Sequence, residues 1–296
     1  MNTGATKESR TTASGRADLR QWIGKTEQQS DVITATPYAA LAATLDRPTA
    51  RPAAGTPLPA LWHWLYFLPL YRQSDVGPDG HAERGGFLPP VPLPRRMWAG
   101  SQFEFSRPLC VGDAVTRRSS IVDVTEKLGR SGPLVFVKVR HEIHRDDEPS
   151  PALIEFHDLV YRDAPTAGAT APLPQLAPET SSWERKITPD PVLLFRYSAL
   201  TFNGHRIHYD RRYVTEVEGY PGLVVHGPLI ATLLLDLLRR EMPEVDVSRF
   251  QFKAIRPLFD LEAFSVYGRT GDGNTVQLWA RDHEGWLSMD ATAVLR

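Results

Sequence analysis

Four side chains that can bind or move protons lie close together between positions 203 and 210. They belong to Asn203, His205, His208 and Asp210. An imidazole titrates near neutral pH and can take a proton from water, while an amide or a carboxylate beside it can hold that water in place. The cluster therefore predicts a site at which a general base activates water.

A second feature follows the cluster, where an apolar run ends in His226, Gly227 and Pro228 at the start of a predicted helix. Proline suits the first helical turn because it lacks an N–H, and glycine lets a ligand approach the backbone closely. The free N–H groups and the dipole at a helix N-terminus stabilise negative charge on a carbonyl oxygen. The base and this oxyanion site together indicate an enzyme that activates a carbonyl compound.

These two features resemble the signature of the MaoC-like, R-specific enoyl-CoA hydratases, which runs Leu-Ser-Gly-Asp-x-Asn-Pro-Leu-His and is followed by His-Gly-Met. The itaconyl-CoA and mesaconyl-CoA hydratases and the type-2 hydroxyacyl-thioester dehydratases are still more similar. They share the runs at 195–203, 205–210 and 218–227. The resemblance extends to residues 22–25, 85–90 and 94–100, so it covers most of the chain.

The resemblance implies that His208 is the general base and that the Gly227 N–H faces the thioester oxygen. One position departs from the family pattern, because Asn203 stands where the signature has an aspartate, five positions before the histidine. A neutral amide cannot take a proton from water. We therefore expect His208 to act as the only base and Asn203 to orient the water, with His205 or Asp210 as a second polar partner.

Several other residues are candidates for contacts with the substrate. His226 either lines the pocket or is structural, and Asp210 either reaches the site or caps the segment that follows it. Arg95 and Arg96 are candidate donors to a CoA phosphate, because they lie beside a Gly/Pro-rich loop, although arginine pairs are usually solvated. We predict His205, His226, Asp210, Arg95 and Arg96 as substrate-binding residues.

No metal or separate cofactor is expected. His205, His208 and Asp210 have a spacing that can converge on one ion, but a helix would point the third ligand away from the other two. The sequence contains no glycine-rich nucleotide-binding loop, so CoA enters only as part of the substrate.

The activity that the resemblance implies is the reversible addition of water to a 2,3-enoyl-CoA by a hydro-lyase. The form of the motif favours a short branched dicarboxylic substrate such as itaconyl-CoA or mesaconyl-CoA. A dehydratase for 3-hydroxyacyl thioesters in fatty-acid or polyketide synthesis is the first alternative. A non-catalytic thioester-binding protein, given the missing aspartate, and a thioesterase on the same fold remain open as well.

Composition sets the broad class of the protein. A length of 296 residues suits two domains, and a net charge of −1 favours neither a nucleic acid nor a membrane as partner. The single cysteine, Cys110, excludes an internal disulfide and suits the cytoplasm. The most apolar early stretch, residues 61–71, is too short to span a bilayer.

The chain divides into a disordered tail at 1–20, a first domain at 21–163, an Ala/Pro-rich linker at 164–180 and a second domain at 181–296. Helices are predicted at 34–45 and at about 228–240, and a strand or approach segment leads to the cluster. Strands are predicted at about 102–107, 114–127, 133–145 and 152–161, and at 249–258, 261–270, 274–283 and 286–295.

A short repeat indicates that the two domains are copies of one unit. Arg-Pro-Leu occurs at 107–109 and again at 256–258, each time beside a run of predicted strands. The family resemblance implies that this unit is the hot-dog fold. We therefore predict an α+β double hot-dog in which two antiparallel sheets each wrap a central helix. The family resemblance also implies a homodimer.

Overall fold

The computed structural model describes most of the chain, namely residues 18–48, 51–129, 132–146, 148–163 and 173–296. Most of the predicted tail, residues 1–17, lies outside these residues. Its last three residues lead into a 3₁₀ helix, Leu19–Trp22, in which Leu19 is buried.

The predicted linker also lies partly outside the described residues, from 164 to 172. From residue 173 onward the backbone lies against the second half of the chain. Leu176 forms a β-bridge with Trp286, and the Leu287 N–H donates to the carbonyl of Gln175. The end of the predicted linker therefore packs as part of the second half.

Both halves contain five strands. The elements of the first half are β1 (Thr26–Val32), α1 (Ala35–Thr44), β2 (Arg95–Phe105), β3 (Ala114–Gly129), β4 (Gly132–Arg145) and β5 (Leu153–Arg162). The elements of the second half are β6 (Trp183–Ile187), α2 (Pro191–Leu200), α3 (Arg211–Glu216), α4 (Gly227–Glu241), β7 (Val247–Ala254), β8 (Phe264–Thr270), β9 (Thr275–Arg281) and β10 (Leu287–Leu295). Short 3₁₀ helices occur at Trp62–Leu65, Gln73–Asp75 and Arg206–His208.

Ten strands form one antiparallel sheet in the part of the chain that the structure describes, in the order β1-β3-β4-β5-β2-β7-β10-β9-β8-β6. Each half therefore has the order first, third, fourth, fifth, second. The halves join where β2 pairs with β7, with Phe103 opposite Phe250. The two predicted sheets are thus continuous with each other at their inner edges.

The Arg-Pro-Leu repeat marks equivalent positions in the two halves. The Arg107 N–H donates to the carbonyl of Ala152 (3.2 Å), and the Arg256 N–H donates to that of Ser288 (3.1 Å). Each acceptor lies at the start of the last strand of its half. The repeat therefore reflects one backbone arrangement that is used twice.

A second pair of equivalent hydrogen bonds relates the segments that precede these turns. The Leu58 N–H donates to Leu109 O (2.7 Å), and the Val225 N–H donates to Leu258 O (2.9 Å). Shortly after Val225 the chain enters α4, as predicted, and residues 229–238 of this helix are all buried. The sheet of the second half packs around α4 through β6, β8, β9 and β10.

At the same position, the first half has only the 3₁₀ helix Trp62–Leu65. Proline stops a helix because it lacks an N–H and clashes with the preceding turn. Pro69 and then Pro78, Pro89 and Pro90 follow Leu65, so a long helix cannot form there. The predicted helix at 34–45 is observed as α1, but it is the counterpart of α2, because each of these helices directly follows the first strand of its half.

Candidate active site

His208 lies at the end of the 3₁₀ helix Arg206–His208 and is buried. Its Nδ1 atom is 2.7 Å from the carbonyl oxygen of Val224. A carbonyl only accepts hydrogen bonds, so Nδ1 carries the proton and Nε2 keeps its lone pair. Burial lowers the pKa of His208 to about 4, which keeps the imidazole neutral at pH 7. His208 therefore has the protonation state that a general base requires.

His226 supports the ring of His208 from one side. The two imidazoles stack with centroids 3.7 Å apart, and the Nε2 atom of His226 is 2.8 Å from the hydroxyl oxygen of Ser198. His226 is fully buried, and burial holds its pKa well below the usual value. This neutral ring keeps His208 in one orientation, and a direct contact of His226 with substrate stays a prediction.

Gly227 follows His226 directly and is the first residue of α4. The N–H groups of the first helical turn have no partner within the helix, so they are available to a ligand. A Cβ atom built on Gly227 would have no described atom within 4 Å. Tight packing therefore does not explain this glycine, and the space in front of it suits a thioester carbonyl.

Asn203 ends the turn that follows α2. Its Oδ1 atom accepts the backbone N–H of His205 (3.0 Å). Among the described residues, its amide nitrogen has no hydrogen-bond partner. The side chain therefore has a donor left for a water molecule, which is the function that the sequence analysis predicts.

His205 meets two residues of the first half that the sequence analysis missed, Asp79 and His81. The ring centroid of His205 is 4.1 Å from that of His81 and 5.4 Å from that of His208. The Nδ1 atom of His81 is 3.0 Å from Oδ2 of Asp79. Asp79 and His81 lie in a Gly/Pro-rich segment that the sequence predicts as a loop, and no local sequence pattern connects them to position 205.

Burial and hydrogen bonds determine the protonation states of His205, His81 and Asp79. Burial lowers the pKa of His205, and the adjacent His81 lowers it further. Burial would raise the pKa of Asp79, but the hydrogen bonds that it accepts from His81 bring this pKa well below its usual value. At neutral pH the group therefore consists of neutral imidazoles and one carboxylate.

Asp79, His81 and His205 each present one possible metal-ligand atom within 4.8 Å of the others. A cation at this point would be repelled by Arg96, whose charge lowers the pKa of both His81 and His205. The geometry alone would suit an ion, but the charge does not favour one. The absence of a metal stays a prediction.

The structure gives Asp210 a structural position. It is the N-cap of α3, where its Oδ1 atom accepts the N–H of Tyr213 (3.0 Å). Its Oδ2 atom accepts a hydrogen bond from Arg206 (2.7 Å). The alternative, a cap on the segment that follows, is thus observed, and a contact of Asp210 with substrate stays a prediction.

Arg95 and Arg96 lie on opposite faces of β2, because side chains alternate along a strand. Arg95 donates to the carbonyl of Glu218 (2.6 Å), forms an ion pair with its carboxylate and lies over the ring of Tyr220. Arg95 therefore links β2 to the second half, and a contact of Arg95 with a CoA phosphate stays a prediction. Arg96 forms no ion pair with a described carboxylate, and it lies near His81 and His205. Of the two predicted arginines, Arg96 is thus the one beside the site.

Known proteins are similar to this chain in sequence and in fold. The profile of the family described as hydroxyacyl-thioester dehydratase type 2 matches residues 61–260. The mesaconyl-C(4)-CoA hydratase of Chloroflexus aurantiacus is 48% identical to the chain over 280 residues, which cover 94% of this chain and 98% of the relative.

Two solved structures are similar to the described fold. A MaoC-like dehydratase from Phytophthora capsici has a TM-score of 0.65 at 15% identity, covering 94% of this chain and 97% of its own. A Mycobacterium tuberculosis protein with a double hotdog fold has a TM-score of 0.53 at 14% identity, covering 93% and 96%. The double hot-dog fold and the hydro-lyase class are therefore confirmed. The chain belongs to the hydroxyacyl-thioester dehydratase type 2 family.

Proposed function

We propose that this protein hydrates mesaconyl-C4-CoA or a closely related branched dicarboxylic enoyl-CoA. The observation that carries the proposal is the hydrogen bond between His208 Nδ1 and Val224 O, because it leaves Nε2 as a base beside the start of α4. The choice of substrate rests on the 48% identity with the Chloroflexus aurantiacus hydratase.

The reaction begins when Nε2 of His208 takes a proton from a water molecule held by the Asn203 amide. The hydroxide attacks C3 of the enoyl group, and negative charge moves to the thioester oxygen, which the Gly227 N–H stabilises. The imidazolium then returns its proton to C2. Water is thereby added across the double bond, and the same steps in reverse give dehydration.

Arg96 is the residue that we assign to the second carboxylate of the substrate. In mesaconyl-C4-CoA that carboxylate is attached to C3, the carbon that water attacks. A guanidinium forms strong, often bidentate, hydrogen bonds with a carboxylate. Arg96 lies beside His81 and His205, near the water-activating residues, and it has no carboxylate partner in the described parts of the chain.

The first test measures two signals after the purified protein is mixed with mesaconyl-C4-CoA, crotonyl-CoA or a 3-hydroxyacyl-CoA. We expect the enoyl absorbance of mesaconyl-C4-CoA to fall while the thioester stays intact. Release of free CoA would indicate a thioesterase instead, and faster turnover of 3-hydroxyacyl-CoA would favour the dehydratase alternative. Binding without any turnover would support a non-catalytic thioester-binding protein.

A second test concerns substrate choice. Arg96→Met should lower kcat/KM for mesaconyl-C4-CoA by roughly tenfold to a hundredfold, because a charge-assisted hydrogen bond contributes about 1.5–3 kcal/mol. Crotonyl-CoA, which has no second carboxylate, should be turned over with less than about a threefold change. Arg118→Met, at an exposed position of β3, is the matched control. Equal losses with both substrates would contradict the assignment of Arg96.

We also propose that the protein needs no cofactor beyond the CoA of its substrate, that it forms a homodimer and that it acts in the cytoplasm. None of the helices in the described ranges is long and apolar enough to cross a membrane. Sedimentation of the purified protein tests the dimer, and cell fractionation tests the location.

A further inference from the structure

We propose that Asp79 and His81 of the first half, acting through His205, supply the carboxylate function that is missing at Asn203. His205 would be the catalytic residue that contacts the water beside His208, and Asp79 and His81 would be positioning residues. This inference rests on the proposed hydratase activity and adds a contribution of the first half to the site.

The family signature has a carboxylate five positions before its histidine, and this chain has the amide of Asn203 there. Asp79 is bonded to His81 (3.0 Å), and the rings of His81, His205 and His208 follow one another at 4.1 Å and 5.4 Å. A carboxylate from the other half is thus connected to the base by an unbroken series of contacts.

The loop that carries Asp79 is docked on the hydratase motif through its backbone. Gly80 has a φ of +89°, and a Cβ atom there would lie 1.9 Å from the carbonyl oxygen of Gly204. The carbonyl of Asp79 accepts the N–H of Arg206 (2.9 Å), and the Arg206 guanidinium donates to the carbonyl of Pro78 (3.0 Å). Only glycine permits this approach, so the loop and the motif are built to fit each other.

The turn itself holds Asp79 in place. The Oδ1 atom of Asp79 accepts the His81 N–H (3.0 Å), while Oδ2 accepts the His81 Nδ1–H. The Gly77 N–H donates to the carbonyl of His81 (2.7 Å) and closes the loop. The carboxylate therefore fixes both the backbone and the tautomer of His81 and has little freedom to move.

The charges that face His205 have the sign that this function requires. The charged or titratable groups that interact with His205 are His81, His208, His226, Asp79 and Arg96. Asp79 is the only negative group among these neighbours. When His208 takes up the water proton, positive charge develops beside His205 and His81. Asp79, which is hydrogen-bonded to His81, is the carboxylate that we assign to the stabilisation of this charge. An aspartate at position 203 would do this in the family signature.

The experiment is a mutant cycle on mesaconyl-C4-CoA turnover. Asp79→Asn keeps the shape of the side chain and its acceptor for the His81 N–H but removes the charge. We expect kcat to fall by about ten- to a hundredfold with KM within about threefold, the range for losing electrostatic support of a base. Asp75→Asn, in the same loop but exposed, is the control and should stay within about twofold.

The decisive variant restores the charge elsewhere. Asn203→Asp introduced into the Asp79→Asn protein should recover at least about tenfold in kcat, because a carboxylate again lies beside the water. A purely structural loss at position 79 would not be repaired from position 203.

Three results would overturn the inference: an Asp79→Asn protein with unchanged kcat, a loss confined to KM, or a double variant no better than Asp79→Asn. The proposed function is judged separately, on the unmodified protein. If that protein turns over none of the thioesters, the hydratase proposal fails and this inference with it. If it is active while Asp79→Asn is equally active, only this inference fails.

Discussion

The two halves of the molecule have the same strand order but differ in the segment before their second strand. The equivalent hydrogen bonds of Leu58 and Val225 align the two segments. After Val225 come His226 and Gly227 and then α4, whereas after Leu58 come Pro59 and Ala60 and then a single 3₁₀ turn. The first half therefore lacks both the supporting imidazole and the long helix with its dipole, and it has no oxyanion site at this position.

The difference teaches how a duplicated unit can divide its functions. In the second half, α4 fills the interior, and its N-terminus is the oxyanion site that we propose. In the first half, the chain from 66 to 94 contains no α-helix, and part of it reaches the hydratase motif and brings Asp79 and His81 there. The candidate site therefore contains residues of both halves.

The interiors of the two halves differ in the contacts that hold the segment before the second strand. In the first half, the buried carboxylate of Glu155 accepts hydrogen bonds from Trp64 (3.2 Å) and lies 3.0 Å from Nε2 of His63. These contacts hold the 3₁₀ turn on β5, where the second half has the leucines of α4. Polar contacts to one buried carboxylate thus hold the short turn, and apolar packing holds the long helix.

The largest effect is expected from His208, which the second half alone provides. His208→Ala should reduce kcat by about 10²–10⁴-fold, the usual range for losing a general base, with the fold unchanged by circular dichroism. His283→Ala, at an exposed turn, serves as the control and should change kcat by less than about twofold. Activity within a few-fold of the parent would remove His208 from the mechanism.

The next prediction compares Gly227 with Ala60, the equivalent position in the first half. Gly227→Ala adds a methyl group where no described atom lies within 4 Å, so the protein should fold. Because the methyl group enters the space assigned to the thioester oxygen, kcat should fall by about 10²–10³-fold. The matched change in the first half, Ala60→Gly, should leave turnover within about threefold. Similar losses at both positions would show that the halves do not differ in the way proposed.

A smaller effect is expected at Asn203. Asn203→Ala removes one hydrogen bond to water, a contribution of about 0.5–1.5 kcal/mol, so kcat should fall roughly threefold to tenfold. Asn203→Asp should be tolerated. If Asn203→Ala abolishes activity as completely as His208→Ala, then the two residues act as one unit and His208 is not the sole base.

The last prediction concerns the pH profile of the unmodified protein, which should differ from that of an enzyme whose base has an unshifted pKa. His208 must be neutral to act as a base, so activity is lost as the pH falls through its pKa of about 4. Its imidazole neighbours, His205 and His226, also have lowered pKa values and stay neutral in this range. We expect kcat/KM to be level between pH 7 and 5. A base with an unshifted pKa near 6.5 would already have lost about thirtyfold at pH 5.

Local sequence patterns predicted much of the fold. Seven of the ten strands in the described ranges, α1 and α4 fall close to their predicted positions, because alternating β-branched residues and a wide leucine stripe have their own periodicities. For β2 only the C-terminal end was predicted, since the strand begins at Arg95 and the prediction at 102. β1 was not predicted, and β6 was left as a strand or an approach segment. They are the two edge strands, and the mostly exposed, polar residues of β1 lack the apolar alternation of a half-buried strand.

The sequence by itself determined the residues whose chemistry is local. His208, Asn203 and Gly227 are read from one short motif and one helix start, because their spacing along the chain sets their geometry. Only the tertiary structure decided which other side chains join them. Asp210 became a helix cap and Arg95 a link between segments, while Asp79 and His81 came to His205 from more than a hundred positions away. Such contacts depend on how β2 pairs with β7 and how the loop docks, and a linear pattern carries no information about either.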